Sequence, residues 1–236
     1  MTQSINNRSE ILFLYDVSWS NPNGDPVDEN KPRIDEETNR NIVTDVRLKR
    51  TVRDYLHDYR KLDIFIQEIR DENKKLVTKE NRMEKFKNQN EEVIKQCIDI
   101  RLFGATIAIK DFTLALTGPV QFKFGKSLHR VVPAFVKGTT VMPSGEDRAQ
   151  GTFTERYVLP YSLIAFYGVV NEKAAQNQGY SLATDQDIQF LLEALWNGTK
   201  NLISVSKAGH QPRMLIWIQY QPDKYHIGEL DNMIQF

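Results

Sequence analysis

Three short clusters of hydrogen-bond donors carry the chemistry that this sequence most clearly offers. The first is Lys49, Arg50 and Arg53, spaced so that a helix would set them on one strip. The second is Gly125-Lys126-Ser127-Leu128-His129-Arg130, directly after an apolar run. The third is Ser206-Lys207-Ala208-Gly209-His210-Gln211-Pro212-Arg213, just before another. Cations and hydroxyls in such groups suit contacts to phosphate and sugar. The competing reading of the first cluster is a solvated helix face paired locally to Asp54 or Asp58. That of the second is an ordinary basic strand exit. The loop Asn21-Pro22-Asn23-Gly24-Asp25-Pro26 adds Asn23 and Gly24, the latter allowing close approach by another backbone.

Charge distribution supports the clusters. The chain has 236 residues, with 31 Lys and Arg balanced by 31 Asp and Glu. A neutral sum argues weakly against a nucleic-acid partner, but residues 112–145 and 194–222 hold no acid at all. Both stretches contain donor clusters. The negative charge lies at 25–37 and 68–99.

Other chemistries find less support. Asp25, Asp28 and Glu29 are candidates for a hard cation, but lack the spacing of an EF-hand loop. The four histidines, at 57, 129, 210 and 226, are scattered, with no zinc spacing and no neighbouring nucleophile. One cysteine, Cys97, excludes an internal disulfide framework and a Cys-rich zinc site, and makes a cytoplasmic location the default. Residues 1–10 lack a signal peptide's apolar core, and no run is long enough to span a bilayer. No catalytic residue, metal or cofactor is expected. Trp19, Trp196 and Trp217 read as core or near-core, with Trp19 beside the polar loop and in reach of a base.

The elements that must position these groups follow from pattern. Ile11–Val17 reads as a buried strand and the Pro- and Gly-containing loop stops it. Thr44–Tyr59 reads as a helix capped by Thr44, with Leu48, Val52, Tyr55, Leu56 and Tyr59 as its apolar stripe. On this reading the three cations lie on a separate strip, so their replacement by alanine leaves the fold nearly intact. Residues 67–99 read as exposed helices of an insertion. Phe112–Phe124 is strand-like and broken at Gly118-Pro119. A loop is expected from Val131 to Thr152, a strand at Tyr157–Val170, a helix after Thr184 weakened at Asn197-Gly198, and a last strand at Met214–Tyr220. The principal order is strand, helix, strand, strand, helix, strand, the α+β pattern of ferredoxin-like or RNA-recognition-motif domains.

Several ordered blocks together resemble a known family. Asn21-Pro22-Asn23-Gly24-Asp25-Pro26 with Pro32-Arg33-Ile34-Asp35, then Val43–Arg50, is similar to the start of the Cascade backbone subunit. This is the CRISPR-associated Cas-seven family, in its type I-B (Csh) and I-C (Csd) branches. Asp99–Ala105, Thr117–Phe122 and Gly125–His129 resemble the succeeding blocks. The resemblance implies a single hand-shaped domain over 1–236. It has an RNA-recognition-motif palm, a helical finger insertion at 61–100 and a β-hairpin thumb at 130–156.

It also implies a non-catalytic subunit that binds CRISPR guide RNA (crRNA). Copies would stack in a filament and present the guide to a target DNA strand. The other Cascade subunits would be partners: the guide 5′-end capping subunit, the large subunit and the small subunit. Asn23, Gly24, Lys49, Arg50, Arg53, Lys126, Ser127, His129, Arg130, Lys207 and Arg213 would contact the RNA. Two alternatives stand beside this reading. One is a metal-dependent endoribonuclease using Asp25 or Asp28, as in related type III subunits. The other is a small-molecule enzyme on a ferredoxin-like fold, which no nucleophile–base pair supports. The sequence stops at Phe236, soon after the last expected strand, so a C-terminal segment of longer relatives is expected to be absent.

Overall fold

The structure is a computed structural model that describes residues 4–109, 112–139, 153–180, 182–222 and 225–234. Its strands are β1 (Ser9–Ser20), β2 (Gly24–Asp25), β3 (Lys31–Pro32), β4 (Arg40–Val43), β5 (Gly104–Ile109), β6 (Phe112–Thr117), β7 (Val120–Phe122), β8 (Gly125–Arg130), β9 (Ala134–Thr139), β10 (Phe153–Val170) and β11 (His210–Gln219). The helices are α1 (Asp45–Asp58), α2 (Lys79–Glu84), α3 (Asn90–Gln96), α4 (Ile98–Phe103), α5 (Glu172–Gln176) and α6 (Asp185–Glu193). A π-helical turn, Ala194–Gly198, continues α6 where Asn197-Gly198 was expected to weaken it. None of these helices is long and apolar enough to cross a membrane.

One antiparallel sheet organises the chain, in the order β11-β1-β10-β8-β4, with β7 and β9 also pairing with β10. The alternation of β1 explains how it sits. Ile11, Phe13, Tyr15 and Val17 join the main core with Leu48, Val52 and Leu56 of α1 and Leu191 of α6. Leu12 and Leu14 enter a smaller cluster on the opposite face with Ala165, Tyr167 and Leu230. Glu10 is fully buried and accepts hydrogen bonds from the Tyr167 and Tyr220 hydroxyls and from Gly228 N–H at 2.5 Å. Burial works to raise its pKa, but these hydrogen bonds outweigh burial and the net shift is downward.

The 18 residues of β10 outrun the sheet. Phe153–Val158 pair instead with Ala134–Thr139 of β9, forming a β-hairpin arm. Part of the stretch expected to be loop is therefore strand. Residues 140–152, the middle of the expected thumb, lie outside the described residues.

Helix α1 begins as expected, with Thr44 Oγ1 accepting from Arg47 N–H at 3.3 Å. Its stripe is buried except for Tyr59, which is exposed and stacks on Tyr55 at 5.0 Å. The insertion departs further from expectation. Its helices α2 and α3 are not simply exposed, because Met83, Phe86, Val93 and Ile94 are buried in the main core. The reason is visible at Asp99, which has no exposure. One carboxylate oxygen accepts from Arg53 Nε and Ile66 N–H, at 2.9 and 3.0 Å, and the other accepts from Phe65 N–H at 2.8 Å. Arg53 is thus buried, with its guanidinium 5.3 Å from the Phe103 ring centroid.

This corrects the expectation for the triple alanine replacement, since Arg53 is packed. Removing either partner of a buried pair strands the other charge. Asp99→Ala is expected to lower stability by about 3–5 kcal/mol, and Arg53→Ala to destabilise in the same direction, measured by urea unfolding at fixed pH.

Candidate nucleic-acid interface

Where α1 begins, three segments converge. The loop residue Asn23 accepts from Thr44 N–H and Thr44 Oγ1, both at 2.9 Å, tying the loop to the helix cap. Residues 65–82 of the insertion stand opposite. Between them lies a cavity of about 540 Å³. Arg47, Arg50, Arg53, Lys79 and Arg82 line it against a single carboxylate, Glu68. On the far side of Arg47 and Arg50 a second groove of about 480 Å³ runs past Asn201 and Ser204 to Lys207. Arg47, Arg50, Gln67 and Glu68 line both, so the two make one trough along α1.

Arg47 is the residue that sequence reasoning missed. Burial lowers its pKa, and its guanidinium donates to Thr51 Oγ1 at 3.1 Å. Arg47 and Arg50 are three apart, which places them together on the helix. That spacing is legible in the sequence, although Arg47 stands between the apolar Val46 and Leu48.

The expected site residues divide into exposed cations and positioning groups. Arg50 is exposed and its Nε donates to Asp54 at 2.7 and 2.9 Å, the local pairing that the competing reading anticipated. Lys49 is largely buried, paired with Asp45 at 2.9 Å and 5.5 Å from the Phe103 centroid. Lys49, Arg50 and Arg53 therefore do not form one exposed strip. Gly24 makes a close approach, but to its own loop: a Cβ there would collide with Asn30 Oδ1.

The second cluster is a strand, not a strand exit. Gly125 and Ser127 point inward and Lys126 outward, as a strand's period of two requires. Ser127 is fully buried; its Oγ accepts from Asn41 N–H at 2.9 Å and donates to the His129 carbonyl at 2.6 Å. His129 Nδ1 donates to the Arg130 carbonyl at 2.8 Å, and Nε2 accepts from Leu163 N–H at 3.2 Å. Its ring stacks on Tyr161 at 5.5 Å. Lys126 and Arg130 remain exposed. With Arg40 and Lys123, Lys126 lines a separate cleft of about 690 Å³.

In the third cluster, Arg213 belongs to β11, which starts earlier than expected, and its Nε donates to the buried Asp16 at 2.8 Å. Lys207 Nζ donates to the carbonyls of Asn21 and of Pro22, the latter at 2.9 Å, fastening the loop. His210 is buried against Tyr15, with ring centroids 5.5 Å apart, and burial holds its pKa down at about 3. The acids of the Asn21–Arg33 loop are committed as well. Asp25 pairs with Arg33 at 2.7 Å and Asp28 with Lys31 at 2.7 Å, and Glu29 lies 3.4 Å from Lys31. Among the described residues, no three His, Cys, Asp or Glu side chains converge as a metal site. Cys97 is buried, and burial pushes its thiol up to about 12.

The fold recurs in solved structures. A chain of a CRISPR RNA-guided surveillance complex in a pre-nicking state superposes with a TM-score of 0.56 at 16% identity, over 88% of this chain and 75% of that one. A chain of a type III-B Cmr-beta complex bound to cognate target RNA superposes at 0.51 with 10% identity, over 90% and 61%. In sequence, CRISPR-associated protein Cas7 of Haloferax volcanii is 34% identical, over 97% of this chain and 75% of its own length. The family model for CRISPR-associated protein Cas7 matches residues 7–236. The chain belongs to the CRISPR-associated protein Cas7 family.

Burial lowers the Lys207 pKa to about 7, with the field of Arg47 adding to the effect. A neutral amine still has two N–H donors for its two carbonyls. Between about pH 7 and the unfolded lysine value near 10.4, the unfolded chain then binds the extra proton, so stability rises with pH. Lys207→Met removes that titration. The melting-temperature gap between wild type and Lys207→Met is expected to widen as pH goes from 7 to 9.5, checked by calorimetry; a constant gap contradicts it.

Proposed function

We propose that this chain is a guide-RNA-binding backbone subunit of a type I CRISPR effector complex, acting without catalysis. The observation that carries the reading is the trough along α1, in whose first cavity five cations, Arg53 among them paired with Asp99, stand against the one carboxylate Glu68, in a chain of the Cas7 family. The second cavity adds Lys207 with Asp54 and Asp58. Phosphate is the ligand such a lining attracts, and RNA supplies it at regular intervals. Phosphate contacts fix register and carry no sequence information, which suits a protein that must accept any guide while base pairing reads the target.

The palm is the sheet β11-β1-β10-β8, with α1 and α6 on its main-core face. Taken in chain order as the first, second, third and fourth palm strands, β1, β8, β10 and β11 lie in the spatial order fourth, first, third, second of a ferredoxin-like domain, which supports an RNA-recognition-motif palm. The insertion at 61–100 is the finger, and the β9–β10 hairpin is the thumb. Copies of the chain stack along the guide and leave it open to a target DNA strand. The subunit that caps the guide 5′ end and the large and small subunits complete the complex.

Roles divide by exposure. Arg50, Lys126, Arg130 and Arg213, all exposed, meet phosphates, and the partly buried Arg47 lines the trough beside Arg50. Lys49, Arg53, Ser127, His129, Lys207, Asn23 and Gly24 hold the loop, helix and strand that present them. The ribonuclease alternative gains no support, because Asp25 and Asp28 are each engaged by a cation of their own loop.

Three outcomes test the reading. Replacing Arg50, Lys126 and Arg130 together by alanine leaves the melting temperature nearly unchanged, since all three are exposed. It lowers the magnitude of the log–log salt slope for single-stranded RNA by about 2, at about 0.7 per lost contact. An unchanged slope refutes the assignment. Second, unstructured guides of equal length and different sequence bind within a few-fold of one another. Bound RNA also stays intact with magnesium present, in wild type and in Asp25→Asn alike.

A further inference from the structure

Trp19 departs from the expectation of a core residue. It is 63% exposed at the end of β1. Its φ is +45°, a left-handed conformation rare for a bulky side chain. The register explains the local distortion: Ser18 pairs with Tyr161 and Ser20 with Leu159, so Pro160, which has no N–H, faces Trp19. The flanking backbone is nevertheless held firmly. Ser18 N–H donates to the Gly209 carbonyl at 3.1 Å, and Asn21 N–H donates to the Ser206 carbonyl at 3.0 Å. The buried Asn21 also donates through Nδ2 to the carbonyls of Asn30 and Tyr157, at 2.6 and 3.3 Å. Gly209 must be glycine, because a Cβ there would collide with the Ser18 carbonyl. A large apolar ring is thus held out toward solvent in a conformation that the surroundings impose. Such strain persists only where the structure over-determines it, and it clusters at sites of function.

Position identifies the kind of partner. The same two hydrogen bonds, from Ser18 and Asn21, attach the backbone on either side of Trp19 to the Ser206–Gly209 segment, and Lys207 in that segment lines the trough with Arg47 and Arg50. Two residues beyond Asn21, Asn23 lines the trough's other cavity. An aromatic ring beside a cationic groove is the arrangement that binds single strands, with cations following the backbone and rings stacking on bases.

We infer that Trp19 is a base-stacking platform at the edge of the α1 trough, taking one unpaired nucleobase of the strand bound there. The inference rests on the proposed RNA-binding function. The base comes either from the guide or from the target strand, and the two sources are separable.

Tryptophan emission reports stacking directly. The chain has three tryptophans, so Trp19→Phe supplies the background from the other two. Adding oligouridylate is expected to quench wild type well beyond Trp19→Phe. Trp19→Gly, which suits a positive φ, is expected to keep its melting temperature and lose RNA affinity by about tenfold. Trp19→Phe is expected to retain most of the affinity. Quenching by oligouridylate alone assigns the base to the guide. Quenching only when guide-complementary DNA is added assigns it to the target strand, and supports the platform equally.

Equal RNA affinity of wild type and Trp19→Gly without quenching overturns the platform and leaves the RNA-binding function standing. No RNA binding by wild type overturns both. A loss of self-association in Trp19→Gly with RNA affinity intact assigns Trp19 to a contact between copies, and also overturns the platform. If Trp19→Gly unfolds, the difference in quenching between wild type and Trp19→Phe decides.

Discussion

The buried carboxylate of Asp99 is the constraint on which the rest of the architecture depends. It is fully enclosed, and three donors converge on it from two places in the chain: Arg53 on α1, and the backbone of Phe65 and Ile66 at the start of the insertion. An isolated carboxylate in that position would be expensive to bury; three hydrogen bonds, one of them from a cation, offset the cost. The consequence is geometric. The insertion is fastened against α1, and the gap left beside the junction is the trough. Arg53, one of three cations expected on sequence grounds to meet a phosphate, holds the wall so that Arg47 and Arg50 can line it.

The same division between exposed and fastened cations runs through the chain. Lys207 secures the Asn21-Pro22 loop and Arg101 grips Asp187 with two hydrogen bonds of 2.9 and 2.8 Å, whereas Arg213 stays exposed while donating to Asp16. A neutral protein can thus present basic surfaces: many of its acids are engaged by cations in structural pairs, while other cations stay at the grooves. Net charge says little about such a molecule, and the local arrangement says much more.

Patterned elements were legible from sequence because local physics decides them. The Thr44 cap, the Leu48, Val52, Tyr55, Leu56 stripe, the strand at Ile11–Val17 and the Thr184 cap all follow from spacing and hydrogen-bonding chemistry. What was not legible depends on distant partners. Arg53 reads as surface until Asp99, 46 residues away, is brought to it. Gly125–Arg130 reads as a basic strand exit because its inward residues are glycine and serine; only pairing with β4 and β10 makes it a strand. β5 went unread because its pairing with β6, rather than a strong alternation, defines it. Tyr59 and Trp19 read as core by type and are exposed by context. The charged insertion read as solvated, although its sparse Met83, Phe86, Val93 and Ile94 are the residues that dock it.

The central claim is that this Cas7-family chain holds RNA in the trough along α1. Co-expression with a guide RNA, followed by size-exclusion chromatography and mass-spectrometric mapping of protein–RNA cross-links, tests it most directly. The account predicts a nucleoprotein particle whose mass grows with guide length, with cross-links concentrated on peptides that contain Arg47, Arg50 and Lys207. A nucleic-acid-free monomer would contradict it, as would a particle whose cross-links avoid α1.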